Sequence, residues 1–280
     1  MKIGAFVFLL LFPLVAFCEV ISQDPREAWL DEYYLKGASE IKKAEEAGDA
    51  KAAYALGVLY LDGSSEMSIK ADYNKAVCYL EKAWGADVAD AGYILATMYY
   101  SGLGVKEDNA KALDLLVSSA KLGLLSAQSV LGRAYWGQNY GDLVSRNMEK
   151  SIYWLKKASD SGDAKSAFGL AYIYEKGVGV DRNYSEAYKW RERSVSLKYN
   201  MSQGYFLPLA EYYENGIGTK VDLVKAYKCY DLSGTAGVEG KQRIAKKMTQ
   251  EQIDEALRQS KEWQKEHNVQ VGGGFIRRAN

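Results

Sequence analysis

A short apolar pattern recurs five times along this chain at a nearly constant interval. The pattern is Ala-x-x-x-Leu-Gly/Ala-x-x-Tyr, seen as Ala52…Leu56-Gly57…Tyr60, Ala91…Leu95-Ala96…Tyr99 and Ala127…Leu131-Gly132…Tyr135. Its second half returns at Leu170-Ala171…Tyr174 and Leu209-Ala210…Tyr213. The anchor leucines are 39, 36, 39 and 39 residues apart. Each unit carries a second anchor: Lys75-Ala76, Lys111-Ala112, Lys150-Ser151, Glu186-Ala187 and Lys225-Ala226. A period in this range marks a solenoid, in which each unit buries its apolar face only by stacking on its neighbours.

Within a unit, positions i, i+4, i+5 and i+8 share one face of a helix. Ala and Gly there admit a second helix closely, while Leu and Tyr fill the space between. A Gly-rich segment follows, as in Ser101-Gly102-Leu103-Gly104-Val105, Lys176-Gly177-Val178-Gly179-Val180 and Asn215-Gly216-Ile217-Gly218-Thr219. Such glycines supply the positive φ of a tight reversal. Segments such as Lys75-Ala76-Val77-Cys78-Tyr79-Leu80-Glu81-Lys82-Ala83 then predict the second helix. Only Pro13, Pro25 and Pro208 interrupt the chain, and Pro208 is expected to shorten or kink the first helix of the fifth unit.

These motifs resemble the Sel1-like repeat family, relatives of the tetratricopeptide repeat. The resemblance covers residues 50–240 and rests on Leu-Gly-x-x-Tyr, Gly-x-Gly-Val and Lys-Ala-x-x-Trp/Tyr-x-x-Lys-Ala. It implies an all-α fold, a right-handed α-solenoid of five helix–turn–helix repeats with a capping helix at each end. Unit three departs from it with Gly137-Gln138-Asn139-Tyr140-Gly141 and a longer loop. Unit one departs with Gly63-Ser64-Ser65 and a loop reaching Asp72. The family's cysteine-rich branch pairs cysteines within each repeat, and those pairs are missing here.

The ends frame this array. Met1-Lys2, the apolar run Ile3–Val15 and Ala16-Phe17-Cys18 have the pattern of a secretory signal peptide over 1–18, with cleavage expected after Cys18. Lipidation at Cys18 is the weaker alternative, because Phe17 is large. Residues 19–49 are expected to form an N-terminal capping helix, with Asp24-Pro25 at its start and Gly48 at its end. Thr249-Gln250-Glu251-Gln252 predicts a capping box opening a C-terminal capping helix within 241–268. Residues 269–280 are expected to be a flexible tail. Cys78 and Cys229 read as buried, unpaired helix residues. No later stretch is long and apolar enough for an integral membrane span.

Charge and residue counts remove whole classes of function. Lys plus Arg and Asp plus Glu both total 36, so no basic excess points to nucleic acid. The single histidine, His267, leaves no His-based triad and no metal site, and no cofactor motif is found. Gly234 to Gln242 resembles a phosphate loop, but its glycine spacing is wrong by one and Gln242 stands where Ser or Thr holds magnesium. Glu81, Glu149 and Glu186 read as a solvated face rather than an acid/base pair. Asn183-Tyr184-Ser185 and Asn200-Met201-Ser202 match the glycosylation triplet, which matters only in a eukaryotic secretory pathway. The expectation is a chain that is not an enzyme.

What remains is binding. Residues two and five after each anchor leucine are expected on the inner face: Val58 and Leu61, Thr97 and Tyr100, Arg133 and Trp136, Tyr172 and Glu175, Glu211 and Glu214. Tyr, Trp and Arg carry binding energy at interfaces, which singles out Tyr100, Arg133, Trp136 and Tyr172. Glu211, Glu214 and Asp222 make the last unit acidic and suit a basic partner surface. The partner is expected to be another protein. The resemblance implies more: exported bacterial Sel1-like proteins include periplasmic immunity proteins that neutralise lipase or phospholipase toxins of type VI secretion. It leaves open an envelope adaptor or host-interaction factor. An enzyme acting on peptidoglycan or β-lactams is disfavoured by the missing cysteine pairs and the absence of a Ser-x-x-Lys plus Lys-Thr-Gly set.

Overall fold

The computed structural model describes residues 28–138, 140–197, 201–272 and 275–278. The leader over 1–18, Asp24-Pro25 and Asn200 lie outside them. The chain divides into two compact units, one ending at Asp108 and the other starting at Asn109. The boundary runs through the second repeat, whose two helices fall one in each unit.

The first unit opens with α1 (Ala28–Lys36) and α2 (Ala38–Glu46), followed by α3 (Ala50–Asp62), α4 (Tyr73–Trp84) and α5 (Ala89–Ser101). The expected single capping helix is broken at Gly37, whose φ of 80° ends one helix and starts the next. Asp49 caps α3, accepting from the backbone N–H groups of Lys51 and Ala52, and it also takes the Tyr33 hydroxyl. The cap is thereby tied to the first repeat. Burial, followed by the Asp49 carboxylate, pushes the Tyr33 pKa up to about 12. Helix α3 is buried from Ala52 to Leu59, as a helix covered on several sides must be.

The second unit contains α6 (Asn109–Lys121), α7 (Leu125–Trp136), α8 (Met148–Asp160), α9 (Ala164–Lys176) and α10 (Tyr184–Ser194). It continues with α11 (Phe206–Asn215), α12 (Leu223–Leu232), α13 (Val238–Ala245) and α14 (Gln250–Glu266). Helix α11 begins late, after a 3-10 turn at Gln203–Tyr205, and Pro208 sits in its first turn, where a missing N–H costs nothing.

The repeat motifs have physical causes that recur from unit to unit. Asp72, Asn147, Asn183 and Asp222 cap the second helices, each accepting the N–H three residues on. The backbone N–H of each capping residue donates to the carbonyl of the repeat tyrosine: Tyr60, Tyr135, Tyr174 and Tyr213. The anchor lysines Lys75, Lys150 and Lys225 each sit 5.2 Å above the ring of that tyrosine. Lysine and tyrosine are therefore paired by cation–π attraction, worth about 0.5–1 kcal/mol at an exposed site. Glu186 breaks the pattern in the fourth repeat, where Lys156 instead lies 5.8 Å over Tyr174.

Glycine serves two distinct purposes. At Gly132 a Cβ would stand 2.7 Å from the Leu155 side chain, so the bare backbone lets α7 and α8 touch. At Gly104, Gly179 and Gly218 the φ is near 70°, and a Cβ would collide with the first residue of an earlier second helix: Tyr73, Met148 or Tyr184. The second glycine of each Gly-x-Gly is thus fixed by both conformation and close approach.

Cys229 is buried on the stripe formed with Ala226 and Tyr230, and burial pushes its thiol up to about 12. Cys78 is exposed, contrary to expectation. Helix α4 buries Ala76, Val77, Leu80 and Ala83, and position 78 lies off that stripe.

The C-terminal cap is built on aromatic packing. Phe206, Leu209, Tyr213, Cys229, Tyr230, Ile244 and Trp263 form one buried cluster. Trp263 meets Phe206 edge-on at 5.0 Å, and His267 stacks on Trp263 at 4.1 Å. The capping box forms: Thr249 Oγ1 accepts the Gln252 N–H at 3.3 Å, and Gln252 Oε1 accepts the Thr249 N–H at 3.0 Å. The glycines of the phosphate-loop lookalike are packing devices. A Cβ at Gly237 would stand 1.8 Å from the Tyr230 carbonyl, and one at Gly240 would stand 2.4 Å from the Tyr230 ring. The tail expected to be flexible pairs as an antiparallel hairpin, β1 (Val269–Gly272) with β2 (Phe275–Arg278). Val271 N–H donates to Gln264 Oε1 at 2.8 Å, which ties β1 to α14.

Candidate functional site

A cavity of about 520 Å³ opens in the second unit between α7 and α9. Arg133 and Trp136 come from α7, with Gln138 just beyond it. Lys165, Ser166, Phe168, Gly169 and Tyr172 come from α9, and Leu155 and Val178 complete the wall. The volume lies within the range of small-ligand pockets, about 300–1,000 Å³.

The first helices of adjacent repeats position these groups. Arg133 and Trp136 are one turn apart on α7, and Phe168, Gly169 and Tyr172 occupy the facing side of α9. Trp136 and Tyr172 approach to 5.9 Å between ring centroids at a tilt of 41°. Tyr172 keeps 43 % of its surface exposed. Phe168 is held by Tyr205, stacked at 4.3 Å, and by the Arg191 guanidinium at 4.5 Å.

The charges of the cavity are one-sided. Two cations, Arg133 and Lys165, line it, and among the described residues no carboxylate does. Arg133 Nε is buried without a hydrogen-bond partner among the described residues. Asp163, buried beneath the wall, is already engaged: it caps α9 through the Ser166 N–H at 3.0 Å and accepts the Ser129 hydroxyl at 3.0 Å and the Ser166 hydroxyl. Burial, then the Asp163 charge, pushes the Tyr205 pKa up to about 12, with Arg133 acting against them.

Of the residues expected on the inner face, the structure brings Arg133, Trp136 and Tyr172 together around one cavity. Tyr100 is half-buried on α5 in the first unit. Glu211 is exposed on α11 and lines no part of the cavity. Glu214 is held internally: Arg243 donates to it at 2.7 and 2.9 Å and the Tyr230 hydroxyl at 2.6 Å. That leaves little of its charge for a basic partner. Hydrogen bonds from Arg243 hold its carboxyl below the usual range. Glu175 is also engaged, by Arg191 at 2.6 Å, Lys176 at 2.7 Å and the Tyr212 hydroxyl at 3.0 Å. Burial pushes the Glu175 carboxyl up, but those donors outweigh it and leave it lowered.

Sequence reasoning missed Lys165, Ser166, Phe168 and Gly169. A signal existed at Gly169. The residue before each anchor leucine is Ala55, Ile94, Val130, Gly169 or Pro208. A glycine in mid-helix costs about 1 kcal/mol against alanine, and so asks for a reason. Here the reason is space: a Cβ at Gly169 would meet Trp136 Cζ3 at 3.5 Å, at the cavity wall.

Among the described residues no group of His, Cys, Asp and Glu could hold a metal, and no helix is long and apolar enough to cross a membrane. Stacked helix pairs with a pocket between consecutive repeats belong to the α-solenoid class of interaction scaffold. The chain belongs to the Sel1 repeat family, whose sequence model matches residues 50–83, 89–124, 125–163, 164–199 and 209–238. Such repeats form protein-interaction scaffolds.

The solved structures it matches share the fold. The chain is 28 % identical over 224 residues to Chitin synthase regulator SKT5 of Saccharomyces cerevisiae, covering 75 % of this chain and 30 % of that protein. The chain therefore spans less than a third of that relative's length. Among solved structures it resembles c5321, a protective antigen present in uropathogenic Escherichia coli strains. That match has a TM-score of 0.67 and 25 % identity, covering 91 % of this chain and 55 % of the antigen. A Sel1 repeat protein from Oxalobacter formigenes follows with a TM-score of 0.61 and 26 % identity, over 73 % of this chain and 58 % of that one.

Proposed function

We propose that the chain is exported to the periplasm and acts there as a non-catalytic scaffold that clamps another protein. The observation that carries this reading is the clustering of Arg133, Trp136 and Tyr172 around one cavity between consecutive repeats. Those residue types supply most of the binding energy at interfaces. Export rests on the leader pattern over 1–18, with cleavage after Cys18. The specific reading is an immunity protein that binds a type VI secretion lipase or phospholipase and blocks its active site or its approach to the membrane. Its support is the resemblance in size, leader and repeat number to exported immunity proteins.

A second reading, an envelope adaptor or host-interaction scaffold, is favoured by the likeness to the protective antigen. Affinity capture with the full chain from periplasmic and secreted fractions separates the two. Immunity expects one lipase, retained by wild type and silenced at equimolar ratio. Several envelope proteins, none with lipase activity, sink immunity and favour the adaptor. Purified chain is expected to leave peptidoglycan and β-lactams intact. Turnover that survives further purification would overturn the non-catalytic reading.

A further inference from the structure

We propose that the cavity between α7 and α9 is an anchor subsite for a partner segment that presents an aromatic side chain beside a carboxylate. The inference rests on the protein-binding reading above and names the chemistry the partner must bring.

Three observations converge. The walls are rings: Trp136 from α7, with Phe168 and Tyr172 from α9, and Phe168 itself stacks on Tyr205. An inserted aromatic side chain finds stacked or edge-on partners there. The charges are cationic: Arg133 and Lys165 line the cavity, and neither is ion-paired among the described residues. Elsewhere in the same unit Arg191, Arg193, Lys241, Arg243 and Arg258 all reach a carboxylate within 2.8 Å. Arg133 reaches none among the described residues, and its Nε is buried without a hydrogen-bond partner, as are the Nε atoms of Arg191 and Arg193. Two cations with no carboxylate beside them favour an occupant that brings one over a neutral occupant. Lastly, the space is created at a cost to the helix: Gly169 stands where other repeats place Ala55, Ile94, Val130 or Pro208.

Two cations in an aromatic cavity suit a peptide carboxylate better than a nucleic acid. Nucleic-acid binding needs many phosphate contacts, and the net charge of the chain is zero.

The test uses the full chain and a fluorescein-labelled peptide of alternating glutamate and tryptophan, read by anisotropy. Two control peptides replace the glutamates by glutamine or the tryptophans by alanine. The acidic aromatic peptide is expected to bind about tenfold more tightly than either control, since one charge-assisted hydrogen bond corresponds to about that factor. Arg133→Gln is expected to remove that preference, and Lys165→Gln to reduce it by about threefold. Gly169→Leu, which fills the space, is expected to abolish binding while thermal unfolding still shows a folded chain. Equal binding of all three peptides, or no binding up to about 1 mM, overturns the proposal. So does an unchanged preference in Arg133→Gln. The same variants in partner capture keep the two readings apart. A partner retained equally by wild type and Arg133→Gln preserves the scaffold reading and sinks the subsite. A wild-type chain that binds no protein in any fraction sinks both.

Discussion

The cavity wall on α7 and α9 and the C-terminal cap on α12 to α14 use the same kinds of residue to opposite ends. Each has a tryptophan, tyrosines, a guanidinium and glycines within helices. In the cap every need is met internally. Trp263 lies against Phe206 and His267, Arg243 is bidentate on Glu214, and Tyr230 fills the space left by Gly237 and Gly240. In the cavity wall the same needs stay open. Tyr172 is 43 % exposed, Arg133 Nε has no acceptor among the described residues, and the space at Gly169 opens toward Trp136. Residue type alone does not mark a binding surface. What marks it is a group whose natural partner the fold leaves unsupplied.

The two tryptophans test this most strongly. Trp263→Ala is expected to cost about 3–5 kcal/mol, the usual range for a buried aromatic, read by urea unfolding. Trp136→Ala is expected to cost only about 1–2 kcal/mol, because its ring is already half-open, while partner capture is lost. Equal losses of stability at the two sites would erase the distinction. Next comes Gly237→Ala. Its Cβ meets the Tyr230 carbonyl at 1.8 Å, so backbone must move. The expected loss is about 1–3 kcal/mol, as for other overpacked sites, visible as a lower thermal midpoint.

The sequence made the repeats legible because their signals are local and repeated: anchor leucines, Gly-x-Gly turns and the Thr249 capping box all appear where expected. Three residues of the candidate site, Arg133, Trp136 and Tyr172, were legible from their offset to the anchor leucines. Phe168 and Lys165 were not, because their importance comes from facing α7 across the cavity, which no offset within one helix reveals. The engagement of Glu214 was hidden for a similar reason: its partner Arg243 lies 29 residues on, in a helix outside the repeat. The asparagine and aspartate caps were readable, since Asp72, Asn147, Asn183 and Asp222 all stand three residues before the second anchor. Cys78 was misread because it was placed by residue type alone, whereas it lies off the stripe of Ala76, Val77, Leu80 and Ala83 that α4 buries.

A smaller effect separates the regions by pH. The Glu214 carboxyl is held below its ordinary 4.5, chiefly by the Arg243 hydrogen bonds. A carboxyl lowered on folding adds stability that is present above the unfolded value and is lost as pH falls through the folded value. Wild type should therefore lose stability below about pH 4.5, the ordinary carboxyl range. Glu214→Gln should start less stable at neutral pH and decline less steeply on acidification. An identical acid slope in the two chains would mean that the cap is not held by this pair. Arg133→Gln should leave the slope unchanged, because no carboxylate among the cavity's lining residues depends on it.

Gly169→Ala carries the smallest expected effect and the opposite sign to Gly237→Ala. Alanine in a helix interior is favoured over glycine by about 1 kcal/mol. At Gly169 the added methyl meets Trp136 Cζ3 at 3.5 Å and Leu155 Cδ1 at 4.0 Å, both ordinary contact distances. The helix therefore gains what its glycine gave up, and the thermal midpoint should rise slightly. The same methyl narrows the cavity, so affinity for an aromatic anchor should fall as stability rises. A variant that gains stability and keeps full affinity would show that the glycine is incidental to binding. A variant that loses stability would show that the wall at Gly169 is packed as tightly as the cap, and the contrast between the two regions would fail there.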